Sequence, residues 1–324
     1  MNTTAADATH YDALTRGAGL VDLSDWTQLE MTGDDRGAFL QNLCTNEVRK
    51  LTAGTGCEAF ITNVQGKMLG HVYVFCGPSS LILVTVPGQA ETLLPHLERY
   101  HINEKVELAD RTETWGQLLL AGEHSGRLLE TVCGALPGEA RLAHVEVHLA
   151  GERLWLRRVD ITGPAGFLIA GTTAAIDAAV AALVDAGAVR CDDAAFQATR
   201  IERGTPLFGR DITDANLPQE VDRNDLAISF VKGCYLGQET VARIDALGHV
   251  NRTLCGLRFA GHDDPATGVE CTAGDKVVAT VTSATFSPKL GVPLALAYVR
   301  RGHNQPGTKL ISAAGEAEVV TLPV

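Results

Sequence analysis

The 324-residue sequence has no long apolar run and no closely spaced pair of cysteines. Its most apolar stretches, such as Leu81 to Val86, are far shorter than the roughly 20 residues that a membrane-spanning helix needs. The eight cysteines are scattered without any C-x-x-C pattern, which excludes a zinc ribbon or a metal-cluster site built from local spacing. We therefore expect free thiols and no membrane span.

Positive charge is also scarce, because 27 lysines and arginines stand against 39 acidic residues and give a formal net charge of −12. Neither nucleic acid nor an anionic membrane is an expected partner, since binding their phosphates needs a concentrated positive surface. An anionic small molecule would have to meet a local basic pocket. The polar start, Met1 to His10, lacks the apolar core of a signal peptide, and we expect a cytoplasmic protein.

Nucleotide and metal motifs are missing or stand in the wrong context. No G-x-x-x-x-G-K-[ST] phosphate loop occurs. Gly54 to Ala59 has the G-x-G-x-x-A spacing of dinucleotide sites, but no strand precedes it and a hairpin follows, so we interpret it as a turn. His144-Val-Glu-Val-His148 could seat a metal on one face of a strand. Alternation of this kind is typical of a half-buried strand with its polar residues in water, and the sequence predicts no metal site.

Up to about residue 248, helical and strand-like segments alternate in two rounds. The first round includes a hairpin through Ala59 to Phe75, and the second includes a strand at Trp115 to Ala121. This pattern predicts two ferredoxin-like α+β units. After Gly248 only short strands remain between Gly, Pro and Asp turns, which is typical of a small β-barrel. The expected fold class is α+β, with domain limits at 1–248 and 249–324.

A helix is predicted from Asp192 to Gly204, because aspartate is a favoured N-cap and glycine a favoured stop. Glu202 then lies in the last turn, where the helix dipole disfavours an anion by up to about 1 kcal/mol. A residue that breaks a local rule without visible gain is often functional. The competing interpretation is an ion pair with Arg200 or Arg203.

The segment from Leu226 to Gly248 carries the strongest local signal. Leu226 to Val231 is interpreted as a strand, followed by a loop with two glycines and a helix from Gln238 to Leu247. Cys234 lies between Lys232 and the helix start, a place where positive potential makes a thiol more reactive. The alternative is that Cys234 is a small buried hydrophobic residue, the commoner position of free cysteine.

Five segments occur in the order found in one known family: 39–48, 200–204, 217–220, 232–239 and 281–288. Through them nearly the whole chain resembles the aminomethyltransferase (glycine-cleavage T-protein) family, and the K-G-C-Y-L-G-Q-E loop at 232–239 is similar to its YgfZ-type folate-binding branch. The resemblance implies three domains in a ring, two interleaved α+β domains and a C-terminal β-barrel. Tetrahydrofolate is expected in the central opening.

The resemblance also implies roles for single residues. Glu202 matches the glutamate that binds the pterin, which suits a carboxylate because the aminopterin edge offers paired donors. Cys234 matches the cysteine of the YgfZ-type loop and is the expected reactive or redox group. From their charge, Lys232 and Arg243 are expected partners for the glutamate carboxylates of folate.

One departure from the family concerns the chemistry. Related transferases carry an aspartate just after the first hairpin, where this sequence has Leu69 and Gly70, so the obvious agent for proton handling is missing. The resemblance then implies a tetrahydrofolate-binding protein that supports assembly or repair of iron–sulfur enzymes, with those enzymes or their assembly factors as partners. The alternatives are a folate-dependent aminomethyltransferase or demethylase, and a folate store without a partner.

Overall fold

The computed structural model describes residues 6–261 and 264–324, so the first five residues of the polar amino-terminal segment lie outside it. None of the helices described in these ranges could span a lipid bilayer. The strands are β1 Gly19–Asp22, β2 Thr27–Thr32, β3 Thr55–Thr62, β4 Met68–Cys76, β5 Ser80–Thr85, β6 Glu107–Asp110, β7 Trp115–Ala121, β8 His144–Leu149, β9 Glu152–Val159, β10 Gly166–Thr172, β11 Val189–Arg190, β12 Arg252–Phe259, β13 Glu270–Ala273, β14 Lys276–Ser287, β15 Val292–Arg300, β16 Lys309–Ser312 and β17 Gly315–Val320. The helices are α1 Ala8–Thr15, α2 Arg36–Gln41, α3 Ala90–Arg99, α4 Ser125–Cys133, α5 Thr173–Asp185, α6 Asp193–Arg203, α7 Asn224–Ala227 and α8 Gln238–Leu247, with a 3-10 helix at Pro218–Val221.

Two sheets form the first part of the molecule, and the chain enters them in an interleaved order. The first sheet has the strand order β11-β1-β7-β10-β9-β8, and the second has the order β3-β4-β5-β2-β6. The chain therefore forms β1 of the first sheet, then all five strands of the second sheet, and then the remaining strands of the first sheet from β7 onward. This topology holds the two sheets together, because neither is built from one continuous piece of chain.

Strand β4 shows how the two sheets share their cores. Nearly all of its residues are buried, because a layer covers each face. Val74 packs in one core with Leu93 of α3, whereas Phe75, its neighbour in sequence, packs in another core with Leu119 of the first sheet. Since successive side chains of a strand point to opposite faces, one face of β4 meets its own helix and the other meets the neighbouring sheet.

The last part of the chain forms a closed barrel with the strand order β12-β15-β14-β13-β16-β17. Its interior is filled by small and branched apolar side chains, among them Leu257, Val281 and Ala297. The predicted fold class is thereby confirmed: a mixed α+β body with two sheets, completed by a β-barrel.

The strand predicted over 226–231 is wrong. Asn224–Ala227 forms one helical turn instead, and the chain then turns out to the surface. A short apolar run does not distinguish a strand from a buried helical turn. Here Thr45 settles the outcome, since its backbone carbonyl accepts from the Ser229 backbone N–H and its hydroxyl donates to the carbonyl of Ala227.

Helix α6 connects the α+β body to the barrel through a buried ion pair. The Arg200 guanidinium contacts the Asp211 carboxylate at 2.9 Å and the Ser283 hydroxyl of β14 at 2.8 Å. The hydroxyl of Thr282, also in β14, donates to the other Asp211 oxygen at 2.6 Å. Both charged side chains are fully buried, so each charge depends on the other for its stability in the interior.

Replacing Asp211 with alanine would leave the Arg200 charge buried without a partner. We expect the Asp211→Ala variant to lose about 3–5 kcal/mol of unfolding free energy, as is usual when one member of a buried pair is removed. Chemical denaturation monitored by circular dichroism measures this loss. Lys309→Ala, which removes an exposed pair with Glu316, is the control and should cost less than about 1 kcal/mol. A loss of the same small size for both variants would contradict the assignment.

Candidate functional site

The last turn of α6 carries Glu202 as predicted. The Asp192 side chain accepts from the backbone N–H of Ala195 at 2.8 Å and begins the helix, while Gly204 ends it with a left-handed φ of 82°. A side chain at Gly204 would also collide with Leu322, whose Cβ lies 2.9 Å from the position of an added Cβ. These two caps fix where the helix ends and hence where the Glu202 carboxylate lies.

The Glu202 carboxylate is buried and accepts hydrogen bonds from three parts of the chain. Tyr11 of α1 donates its hydroxyl at 2.7 Å, Ser287 at the end of β14 donates its hydroxyl, and Lys289 donates its backbone N–H at 3.3 Å. Burial, together with the neighbouring Glu202, raises the pKa of Tyr11, so this phenol stays a donor. These contacts explain how an acid is tolerated at a helix C-terminus, and they fix the direction of its carboxylate.

A cavity of about 610 Å³ opens beside Glu202. Its volume lies within the range of about 300–1,000 Å³ that is usual for small-molecule sites. Three cationic side chains line it together with Glu202: Arg16, Arg203 and Lys289. A carboxylate inside and cations around it suit a ligand that has hydrogen-bond donors at one end and anionic groups at the other.

A second group of charges, not predicted from the sequence, centres on Glu58 of β3. This carboxylate is fully buried and contacts the guanidinium groups of Arg141 and Arg223, while His71 Nε2 lies 2.6 Å from its Oε1 atom. Asp160 links this group to the end of α6, because its carboxylate accepts hydrogen bonds from Arg141 at 2.9 Å and from Arg203 at 3.2 Å. Since its members are separated by up to 165 positions along the chain, no local motif could have indicated this group.

Electrostatics keep Glu58 ionised. Burial alone would raise its pKa, but the charges of Arg223 and His71 and their hydrogen bonds outweigh burial and hold the pKa well below the ordinary value. A carboxylate in this state is a poor proton acceptor, because taking a proton would break its bonds to two guanidinium groups. Glu58 therefore does not supply the base that an aspartate near residues 69–70 would provide.

Position 70 lies against the apolar core beside α3. Gly70 pairs with Ile61 and faces α3, and a Cβ added there would lie 2.9 Å from a methyl group of Leu93. The following residue, His71, contacts Glu58. On this part of β4, the side chain that reaches the Glu58 carboxylate is therefore the imidazole of His71.

Lys232 has an inward and fully bonded position. Its ammonium donates to the backbone carbonyls of Gln41, Cys44 and Asn46 at 2.7–2.8 Å, and it lies 4.9 Å from the centre of the Tyr235 ring. An ammonium has three donors, and all three are used by these carbonyls; the folate contact expected from the charge of Lys232 stays a prediction. Lys232 anchors the loop to the end of α2.

The other two predicted residues lie on the surface. Cys234 is the only one of the eight cysteines that is exposed, and Arg243 is exposed on α8. Neither of them lines the cavity beside Glu202, and Lys232 does not line it either. The four predicted site residues therefore do not share this cavity.

The fold matches that of one class of protein. Across 97% of this chain and 88% of the other, the structure superposes with a TM-score of 0.87 on the glycine cleavage system aminomethyltransferase T of Bartonella henselae, at 21% identity. The architecture is therefore the aminomethyltransferase fold.

Sequence comparison identifies the family. Residues 2–230 match the GCVT N-terminal domain, and residues 252–324 match the glycine cleavage T-protein C-terminal barrel domain. An aminomethyltransferase of Rubrobacter xylanophilus is 28% identical over 89% of this chain and 78% of its own length. A putative chloroplastic transferase of Arabidopsis thaliana is 26% identical over 90% of this chain and 67% of its own length. The chain belongs to the glycine cleavage T-protein family.

The exposure of Cys234 predicts a single fast-reacting thiol. Burial raises the pKa of the Cys191 thiol to about 11 and that of Cys255 to about 12, so at pH 8 they contribute little thiolate. We expect the native protein to release about one equivalent of thionitrobenzoate rapidly from Ellman's reagent, and the Cys234→Ser variant to lose this phase. Cys191→Ser is the matched control and should keep it. A fast phase that survives Cys234→Ser would contradict this assignment.

Proposed function

We propose that this protein binds tetrahydrofolate and that its folate-loaded form supports the assembly or repair of iron–sulfur enzymes. The observation that carries the folate part is the buried Glu202 carboxylate, oriented by Tyr11 and Ser287, beside a cavity of about 610 Å³. The comparisons bear on the folate part alone, because relatives such as those of Rubrobacter xylanophilus and Streptomyces avermitilis carry the name aminomethyltransferase.

The chemistry of a reduced folate matches the distribution of charge around this cavity. Its aminopterin end carries adjacent N–H donors, and a carboxylate accepts such donors in pairs. Its glutamate end carries two carboxylates, for which Arg16 and Lys289 line the same cavity. These two cations take the place proposed for Lys232, whose donors are occupied, and Arg243 stays a prediction for an extended glutamate tail.

Transfer of an aminomethyl or methyl group is the second candidate, and the names of the relatives favour it. Such chemistry needs a group that accepts or orients a proton at the reacting amine. Position 70 is a glycine packed on Leu93, and Glu58 is bound to two arginines. Because position 70 carries no acid and the Glu58 carboxylate is held by two arginines, we place binding without transfer first.

The link to iron–sulfur enzymes rests on the loop that contains Cys234. Its backbone is fixed by the buried side chains of Lys232 and Tyr235, while the thiol between them is exposed. A thiol presented on an anchored loop can meet another protein without rearrangement of the fold. The similarity of 232–239 to the YgfZ-type loop supports the same assignment.

Removing the Glu202 carboxylate tests the folate site. We expect Glu202→Ala to weaken binding of 5-formyltetrahydrofolate by roughly 1.5–3 kcal/mol, the usual contribution of hydrogen bonds to a charged group. Isothermal titration calorimetry measures the change. Glu91→Ala removes an exposed acid of α3 that does not line this cavity and should bind as the wild type does. Equal affinity for wild type and Glu202→Ala would remove Glu202 from the site.

The two candidate functions differ in what Cys234 does. Under the proposal, Cys234→Ala retains folate affinity but lowers iron–sulfur enzyme activity in cells that lack the wild-type copy, most clearly under oxidative stress. Cys191→Ala is the control variant and should restore that activity. Wild-type behaviour of Cys234→Ala cells would overturn the iron–sulfur role. Release of formaldehyde or ammonia from an N-methyl or aminomethyl donor, dependent on added tetrahydrofolate, would establish the transfer function instead.

A further inference from the structure

A second cavity, away from Glu202, contains a buried arginine. Arg157 of β9 is only 2% exposed, and it lines a cavity of about 250 Å³ between the two sheets. The cavity is smaller than the range of about 300–1,000 Å³ that drug-sized ligands occupy. It therefore suits a small molecule and not a whole folate.

The Arg157 guanidinium has no anionic partner among the described residues. Its only hydrogen bonds run from Nη1 to the amide oxygens of Gln28 and Gln117, both at 3.4 Å. No described residue accepts from its Nε or Nη2 atoms, although a guanidinium offers five N–H donors. The fork of donors that binds carboxylates in pairs is thus unused.

The acids around this cavity are already neutralised. Glu30 lies 2.8 Å from Arg111, and Glu146 lies 3.6 Å from Arg153. Since each of these acids is paired with an arginine, the positive charge of Arg157 is the one that remains without an opposite charge at the cavity. Burial lowers the pKa of Arg157 to about 9, which is still well above neutral, so the guanidinium is charged at pH 7.

Aromatic side chains form the walls. The Arg157 guanidinium lies 4.8 Å from the centre of the Phe75 ring, and the His144 ring lies edge-on to both Phe75 and Trp155 at 5.5 and 5.8 Å. Trp115 completes the lining. His144 was expected to face water but is buried, whereas His148 is exposed as expected. Flat apolar walls around one cation favour a planar ligand that carries a negative charge.

We propose that this cavity is a binding site for a small carboxylate with a planar apolar group, whose carboxylate pairs with Arg157 and whose ring lies among Phe75, Trp115 and Trp155. Such a ligand supplies the counter-charge that the protein does not provide. A buried charge without an opposite charge is costly to fold. Binding of an anion offsets that cost here.

Titration of the full-length protein with benzoate tests the site. Benzamide keeps the ring without the charge, acetate keeps the charge without the ring, and chloride is a simple anion. We expect benzoate to bind with a dissociation constant at least about tenfold lower than any of the three, because it alone satisfies both the guanidinium and the aromatic walls. No binding of benzoate, or equal binding of acetate or chloride, would overturn the proposal.

Variants at Arg157 separate a binding role from a structural one. Arg157→Met should abolish benzoate binding and leave the melting temperature of the ligand-free protein unchanged or higher, since it removes an unpaired buried charge. Arg157→Lys keeps the charge without the fork and should bind benzoate at least about tenfold more weakly than wild type. Arg158→Met is the matched control: Arg158 does not line the cavity, so this variant should bind benzoate normally.

A lower melting temperature for ligand-free Arg157→Met, with benzoate binding retained, would show that Arg157 is structural. The test is also independent of the folate proposal, because Glu202 lines a different cavity. Glu202→Ala should bind benzoate as the wild type does, whatever its folate affinity.

Discussion

The molecule depends on one constraint, that a charge taken out of water must find a partner. Glu58 meets it with Arg141 and Arg223, which come from segments far apart in the sequence, and so joins β3 to the segment before β8 and to the segment before α7. The Arg200–Asp211 pair meets the same constraint where α6 contacts the barrel. Each pair is satisfied only when its segments are in their final positions. The buried charges therefore specify the arrangement of the parts, while the apolar cores supply the larger share of stability.

The same pairing limits the chemistry at the centre of the molecule. An acid that serves as a base needs an accessible lone pair and a pKa near the working pH. The central acid, Glu58, has its lone pairs bound by guanidinium groups and a depressed pKa, so it is fixed in its ionised form. Glu202 differs, because its partners Tyr11 and Ser287 are neutral hydroxyls that orient the carboxylate without cancelling its charge. A carboxylate of this kind at a cavity is suited to bind the N–H donors of a ligand. This is the physical basis for placing folate binding before group transfer.

Sequence reasoning succeeded where structure is decided locally. Asp192 and Gly204 marked the ends of α6, because capping depends on residues within one turn. It failed for 226–231, where the partner that decides the conformation is Thr45, far away in the sequence. It also did not anticipate the surroundings of Lys232, since charge alone does not reveal that three carbonyls of another segment surround the ammonium. No sequence pattern indicated the role of Glu58, because that role depends on two arginines that only the folded chain brings into contact with it.

Arg157 is informative because it departs from this constraint. Neutralising it would have required only an acid at Gln28 or Gln117, the two fully buried side chains that it already contacts. Both positions hold amides, which accept a hydrogen bond from the guanidinium without cancelling its charge. An amide here keeps the cation available, whereas a carboxylate would close the site, as Arg141 and Arg223 do for Glu58. The positive charge between the sheets is therefore preserved at a cost in folding free energy, and a bound anion is the simplest physical reason for that cost.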